Sequence, residues 1–298
     1  MIQQDIPQDG IVLLDGSARS ELKTNFAWDT YNSSSFSSLD LSLLRAEISE
    51  LETIRQIISQ PNIWTIPQVT AEFYGLLEHI NQKIRCLSLK KIKNKRTKVY
   101  LQEHEGHKDY LEEVQHKAWR TYQALKSKEI QKNPELNINK NSLDILIDMV
   151  VLVSQNLKLK NQTGYYYGRG DSNKPEGGRD TDERLVATLL YLSMFHDQKP
   201  SILTGDGDLL NLLGVVPKFL GAIHFYPDNK RFARTVARQN APRAYFLDGD
   251  INLVSEGSVS LNHYPPNPSR LHSYKREQMM KELGRLWWGF SDSLNGKA

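Results

Sequence analysis

At 298 residues with 39% hydrophobic side chains, the chain is long enough for one large domain, or a domain with an insertion, around a full core. Its 38 Lys and Arg against 35 Asp and Glu leave a formal charge of +3, too mild for whole-chain charge to argue a nucleic-acid partner by itself. The single cysteine, Cys86, excludes an internal disulfide, no export signal is legible at Met1–Asp5, and the apolar cluster Met149–Val153 falls far short of the ~20 residues of a membrane span, so the reading is a cytoplasmic protein with no membrane partner.

Ile11–Leu14 is a β-like run that ends at Asp15, with Gly16 and Ser17 turning the chain. Thr30–Ser38, rich in Ser and Asn, reads as a loop. Leu41, Leu44, Ile48, Leu51, Ile54 and Ile58 then trace the apolar face of a helix. Asn62–Ile66 suits a short second strand. Pro67 opens the next helix, which carries Val69, Glu72, Phe73, Leu76 and Ile80 and so places Glu72 beside apolar neighbours. Lys83–Lys98 contains Lys90, Lys91, Lys93, Lys95 and Arg96 among other cations and no acidic residue, the pattern of a phosphate-tracking surface or of a solvated helix extension.

Leu111, Val114, Ala118, Tyr122 and Leu125 predict an amphipathic helix over 110–125 that packs on the main domain. His104, His107 and His116 lack the spacing of a zinc helix, so zinc is set aside. Asn141 and Ser142 are candidate caps for the apolar segment Leu143–Val153, which its length makes a helix. Thr163–Arg179 is a long loop that interleaves tyrosines with Arg169 and Arg179, residues suited to bases and phosphates, and it feeds directly into Asp180. There Asp180 is read as the N-cap and Glu183 as its capping-box partner, which leaves Asp182 on the first turn facing a crevice.

Leu185, Leu189 and Leu192 recur at helical spacing behind that acidic group, and Ile202–Leu203 make a buried strand running into Thr204-Gly205-Asp206-Gly207-Asp208. Leu209–Leu213 continue as a short helix. Ala222–Tyr226 and Ala244–Leu247 are expected edge strands, and Arg231, Arg234 and Arg238 form a second basic stripe. A hairpin-like stretch, Asp248–Leu261, precedes a proline-rich linker and a closing helix, Tyr274–Phe290, whose Trp287 and Trp288 are expected to pack.

Singly, each carboxylate reads as a turn, cap or edge residue. Together, Asp15, Glu72, Asp182, Asp206 and Asp208 make a set drawn from segments far apart in sequence, four of them at the ends of elements, and packing gives no reason for that. Several carboxylates in one crevice repel one another unless cations neutralise them. All-oxygen donors select Mg²⁺ or Mn²⁺, with Asp15, Asp182, Asp206 and Asp208 as the ligand set. Ions held that way suit phosphoryl chemistry.

This series resembles the PIN-domain family of metal-dependent ribonucleases. Asp15-Gly16-Ser17 matches its Asp-x-Ser motif after the first strand, and Glu72 its glutamate after the second. Asp182-Glu-Arg-Leu-Val-Ala-Thr188 matches its acidic helix start, and Thr204–Asp208 its Thr-Asn-Asp-x-Asp motif, with Gly205 in place of Asn. The resemblance implies a three-layer α/β/α fold with a central, mainly parallel sheet. Residues 1–262 would be the nuclease domain, with a basic helical insertion at about 83–140, and residues 263–298 a linker and C-terminal helical tail. It implies a Mg²⁺- or Mn²⁺-dependent endonuclease using Asp15, Glu72, Asp182, Asp206 and Asp208, supported by Ser17, Thr204 and Asp180. Lys90, Lys91, Lys93, Lys95, Arg96, Arg169, Arg179, Arg231 and Arg234 are the candidates for nucleic-acid contact. RNA is the favoured partner and single-stranded DNA the second, with a homodimer or a protein regulator as further candidates. The chain is about twice as long as the compact toxin members, which argues against a toxin role.

Two alternatives stand beside it. One is a nucleic-acid-binding module of the same fold without catalysis. The other is a haloacid-dehalogenase-like phosphatase, whose Gly-Asp-Gly motif is similar to Gly205-Asp206-Gly207; but its nucleophilic Asp would fall two positions before Asp15, where Leu13 stands, and Leu cannot form an aspartyl-phosphate.

Overall fold

The apolar run before Asp15 becomes the strand on which the sheet is built. The computed structural model describes residues 10–16, 41–88, 107–157, 180–195, 200–204, 206, 209, 212–216, 220, 243–247, 253–254 and 273–294. Strand β1 (Val12–Leu14) lies between β2 (Ile63–Trp64) and β3 (Ser201–Thr204), and β4 (Arg243–Leu247) and β5 (Leu253–Val254) complete the order β2-β1-β3-β4-β5. The first four strands are parallel, with Val12 opposite Ile63 on one side and Ser201 on the other. Only β5 is antiparallel, pairing Leu247 with Leu253 in a hairpin, so β4 is an interior strand rather than the edge its sequence suggests. Beyond β2 a single parallel bridge, Thr65 to Glu129, carries the pairing one residue further.

Because strand side chains alternate, β1 feeds two cores. Val12 and Leu14 join Ile63 and Leu203 in one. Its helical walls are α1 (Leu41–Ile58), α2 (Pro67–Ser88) and α3 (His107–Ser127), through Leu51, Ile54 and Ile58, then Phe73 and Ile80, then Leu111, Val114 and Ala118. Leu13 and Ile202 join the other. Here the walls are α4 (Lys140–Leu157), α5 (Thr181–Phe195) and α6 (Ser273–Leu294). At roughly 1.5–3 kcal/mol for each fully buried aliphatic side chain, both cores contribute substantially to stability. Helix α3 thus packs as its periodicity predicts, and its Lys117 pairs with Glu52 of α1, holding that carboxyl below its usual range.

Several local features differ from expectation for identifiable reasons. Helix α5 is buried almost all round, including Val186, Ala187 and Tyr191 as well as the leucine stripe, because α4 packs on it within the core that also holds Leu13 and Ile202 of the sheet. Segment 143–153 is helical, and its cap is Asn139 rather than Asn141 or Ser142. The Ser142 N–H donates to Asn139 Oδ1 at 3.1 Å, while the Ser142 hydroxyl is engaged with Ser293 of α6. Trp287 is buried, whereas Trp288 is exposed. Leu209, Leu212 and Leu213 are helical, as expected, and residues 214–216 continue the helix beyond the expected end. The loops Thr30–Ser38 and Thr163–Arg179, the strand expected at Ala222–Tyr226 and the linker His263–Pro268 lie outside the described residues. No helix among the described residues is long and apolar enough to cross a membrane.

Candidate active site

In a parallel sheet the strand order reverses where successive connections leave in opposite directions, and the strands' carboxyl ends flank a crevice there. In this chain that point lies between β1 and β3. Asp15 follows β1 directly, its N–H donating to the Leu203 carbonyl at 3.0 Å, so the ladder holds it until the strand ends. Its side chain is buried. Thr204, the last residue of β3, donates its hydroxyl to Asp15 Oδ2 at 2.7 Å and accepts from the Asp206 N–H at 2.9 Å. One buried hydroxyl therefore ties the two strand ends together.

The loop after β1 also meets Glu72. Gly16 lies so close that a β-carbon there would stand 3.2 Å from Glu72 Oε2, a contact any larger residue would force apart. Glu72 is on the second turn of α2, which Pro67 starts immediately after β2. Its other oxygen, Oε1, accepts from the Thr181 hydroxyl at 2.7 Å. Thr181 is the first residue of α5, and Asp182, half-buried, follows it. The result is a continuous sequence of contacts and covalent neighbours from Asp206 through Thr204, Asp15, Gly16, Glu72 and Thr181 to Asp182. It draws on four separate segments.

Asp180 stands at the head of α5 with φ 58°, a left-handed conformation that Asp tolerates better than most residues. Its carbonyl accepts the first helical bond, from the Arg184 N–H, and its side chain is exposed. Glu183 is buried against α4 and accepts from Ser154 at 2.8 Å. Sequence reasoning missed both Thr181 and Ser154, since a hydroxyl donor on a distant helix leaves no pattern of its own. Ser17, Asp208, Lys90, Lys91, Lys93, Lys95, Arg96, Arg169, Arg179, Arg231, Arg234 and Arg238 lie outside the described residues.

By donor type the site fits a hard cation, since among the described residues it offers carboxylate and hydroxyl oxygens and neither Cys nor His. Among the described residues, no three His, Cys, Asp or Glu side chains are grouped closely enough to hold one ion.

The Thr204 hydroxyl provides a direct test of this architecture. Thr204→Val keeps the shape but removes a donor to a buried carboxylate and an acceptor for the Asp206 N–H, and it is expected to cost about 1–3 kcal/mol. Thr204→Ser retains the hydroxyl and loses one methyl group, worth about 0.8 kcal/mol. Urea unfolding of both variants measures the difference, and equal stabilities would show that the hydroxyl link does not hold the strand ends.

One electrostatic effect lies beside the site. Asp148 on α4 has its carboxyl pushed above the usual range by partial burial and by Asp144, against a smaller opposing pull from Arg184. A carboxyl whose folded pKa is raised binds its proton more tightly when folded, so stability is lost as pH rises through that pKa. Asp148→Asn should therefore gain a few tenths of a kcal/mol at about pH 7 and nothing at about pH 3, read from urea midpoints at the two pH values. A gain independent of pH would point to packing instead.

Comparison of the chain with known protein families, with curated proteins and with solved structures returned no match.

Proposed function

We propose that this chain is a Mg²⁺- or Mn²⁺-dependent endonuclease with a PIN-like, three-layer α/β/α fold, hydrolysing phosphodiester bonds in RNA or, second, in single-stranded DNA. The observation that carries the reading is the run of contacts from Asp206 to Asp182 at the carboxyl end of the sheet, beside its switch point. Structural economy does not account for it. Four segments that are far apart in sequence bring carboxylate-bearing residues to one end of the sheet, and the arrangement makes sense where positive charge arrives. The two cores on opposite faces of β1 support the layered fold.

Asp15, Asp182, Asp206 and Asp208 would hold the cation, which when bound lowers the pKa of a water and offsets charge on the phosphate. The chain's own groups do the rest. Thr204 fixes the Asp15 carboxylate through one oxygen, and Thr181 does the same for Glu72, so both carboxylates keep one orientation without reorganising during the reaction. Asp182 and Asp206, only half-buried, stand where water and substrate can reach them.

A non-catalytic binding module of the same fold is the second reading, and Gly205, standing where the resembling motif has Asn, favours it. The phosphatase reading lacks its nucleophile, and Leu13 is fully buried in the core. The deciding experiment incubates the wild-type chain and Asp206→Asn with labelled RNA and single-stranded DNA, with and without Mn²⁺. Metal-dependent cleavage that Asp206→Asn abolishes supports the nuclease; binding without cleavage supports the module.

A further inference from the structure

Two of the large apolar side chains that the described residues leave exposed, Tyr74 at 43% and Trp119 at 48%, converge on one place. Tyr74 of α2 and Trp119 of α3 both lean on Tyr122, with ring centroids 5.4 and 5.5 Å away and planes tilted by 49° and 37°. Tilted contacts at that distance are favourable and hold the rings in place while leaving their outer faces open. Lys126, one turn beyond Tyr122, sets its ammonium 5.8 Å from the centre of the Tyr122 ring. At helical spacing around Trp119 stand Gln115, His116, Tyr122 and Gln123, with Arg120 adjacent and no carboxylate among them. On α2 the exposed Glu78 follows Tyr74 by one turn, and on α3 Glu112 and Glu113 lie further toward the helix start.

We infer that Tyr74, Trp119 and Tyr122, with Lys126, form a base-stacking platform for single-stranded nucleic acid. The choice of ligand rests on the nuclease reading above and on the chemistry of the patch: open aromatic faces for bases, beside a cation for phosphate. A protein partner fits poorly. Tyr74 and Trp119 together offer on the order of 200 Å², against the ~800 Å² per partner of a stable interface. Tyr74 is two residues from Glu72, so it sits about 3 Å further along the α2 axis and about 200° round it, on the far side of the helix, and a strand bound on the platform would reach the candidate site by passing around α2. The bridge from Thr65 to Glu129 brings the end of α3 to the start of α2, where the candidate site lies.

The test uses the full chain carrying Asp206→Asn, in EDTA, with fluorescein-labelled RNA and DNA single strands of about twelve nucleotides and anisotropy as the readout. Adding Trp119→Ala should weaken binding of both strands by about 5- to 100-fold, and Tyr74→Ala by a comparable factor. Trp119→Phe should restore most of the affinity, and Trp288→Ala, exposed on α6, should change nothing. With Asp206 intact, Trp119→Ala should raise KM for strand cleavage and leave kcat within about twofold. The inference is overturned if Trp119→Ala and Tyr74→Ala both bind within about twofold of the parent, if the parent binds neither strand, or if sedimentation shows a dimer that Trp119→Ala dissociates. Because binding is read without metal and without turnover, residual cleavage by Asp206→Asn would sink the catalytic assignment and leave the platform standing.

Discussion

Asp15→Asn, Asp182→Asn and Asp206→Asn should each lower metal-dependent strand cleavage by at least about a thousandfold, equivalent to about 4 kcal/mol of transition-state stabilisation. Each substitution keeps the side-chain shape and removes one negative charge. A folding defect is therefore not expected from Asp182 or Asp206, which are half-buried. Asp15 is the more demanding case, since its buried carboxylate accepts from Thr204 and Asn can preserve that bond through its carbonyl oxygen. Circular dichroism and urea unfolding separate loss of catalysis from loss of fold. Mn²⁺ or Mg²⁺ should support the wild-type reaction, and Glu72→Gln should be less damaging, because Gln can still accept from Thr181. Unchanged cleavage in all three Asp variants would remove the acidic cluster from the mechanism.

Asp15, Asp182 and Asp206 were legible as candidates because each stands at or beside an element boundary that the sequence marks, and Glu72 because it follows one by a turn. Ile11–Leu14 ends in Asp-Gly, Pro67 opens the helix of Glu72, the α5 pattern starts at Asp182, and Ile202–Leu203 ends at Thr204. Boundaries of this kind are local, so hydrophobic periodicity and turn chemistry reveal them. What joins the boundaries is not local. Thr181 and Glu72 are 109 positions apart, and Thr204 and Asp15 are 189 apart. No spacing rule predicts a hydroxyl that serves a distant carboxylate. The Tyr74–Tyr122 contact was hidden for the same reason, since it depends on how α2 and α3 cross. The cap of α4 failed differently: Asn139, Asn141 and Ser142 are all competent, and the choice fell to Asn139 because Ser142 is committed to Ser293. Burial around the whole of α5 was illegible because its apolar stripe looks the same whether or not a second helix packs on it.

The C-terminal helix gives the second large effect. Phe290→Ala should destabilise the chain by about 3–5 kcal/mol, while Trp288→Ala should stay within about 0.5 kcal/mol of the wild type. By sequence both belong to an aromatic end that follows a proline-rich linker. The structure separates them. Phe290 is 2% exposed, its ring centroid 5.7 Å from Trp287 and 6.3 Å from Phe195 of α5, in the same core as Leu13 and Ile202. Trp288 is 52% exposed. Beside Phe290 the Ser293 hydroxyl bonds the Phe290 carbonyl at 2.7 Å and meets Ser142 at 2.8 Å, and Asn139, the α4 cap, donates to the Ser293 carbonyl at 3.4 Å. Truncating Phe290 therefore opens a cavity among α4, α5 and α6 at a place where polar partners fix the backbone and limit collapse, so the cost belongs in the upper part of the range for a buried aromatic. Equal urea midpoints for Phe290→Ala and Trp288→Ala would show that α6 rests on the domain without sharing its core.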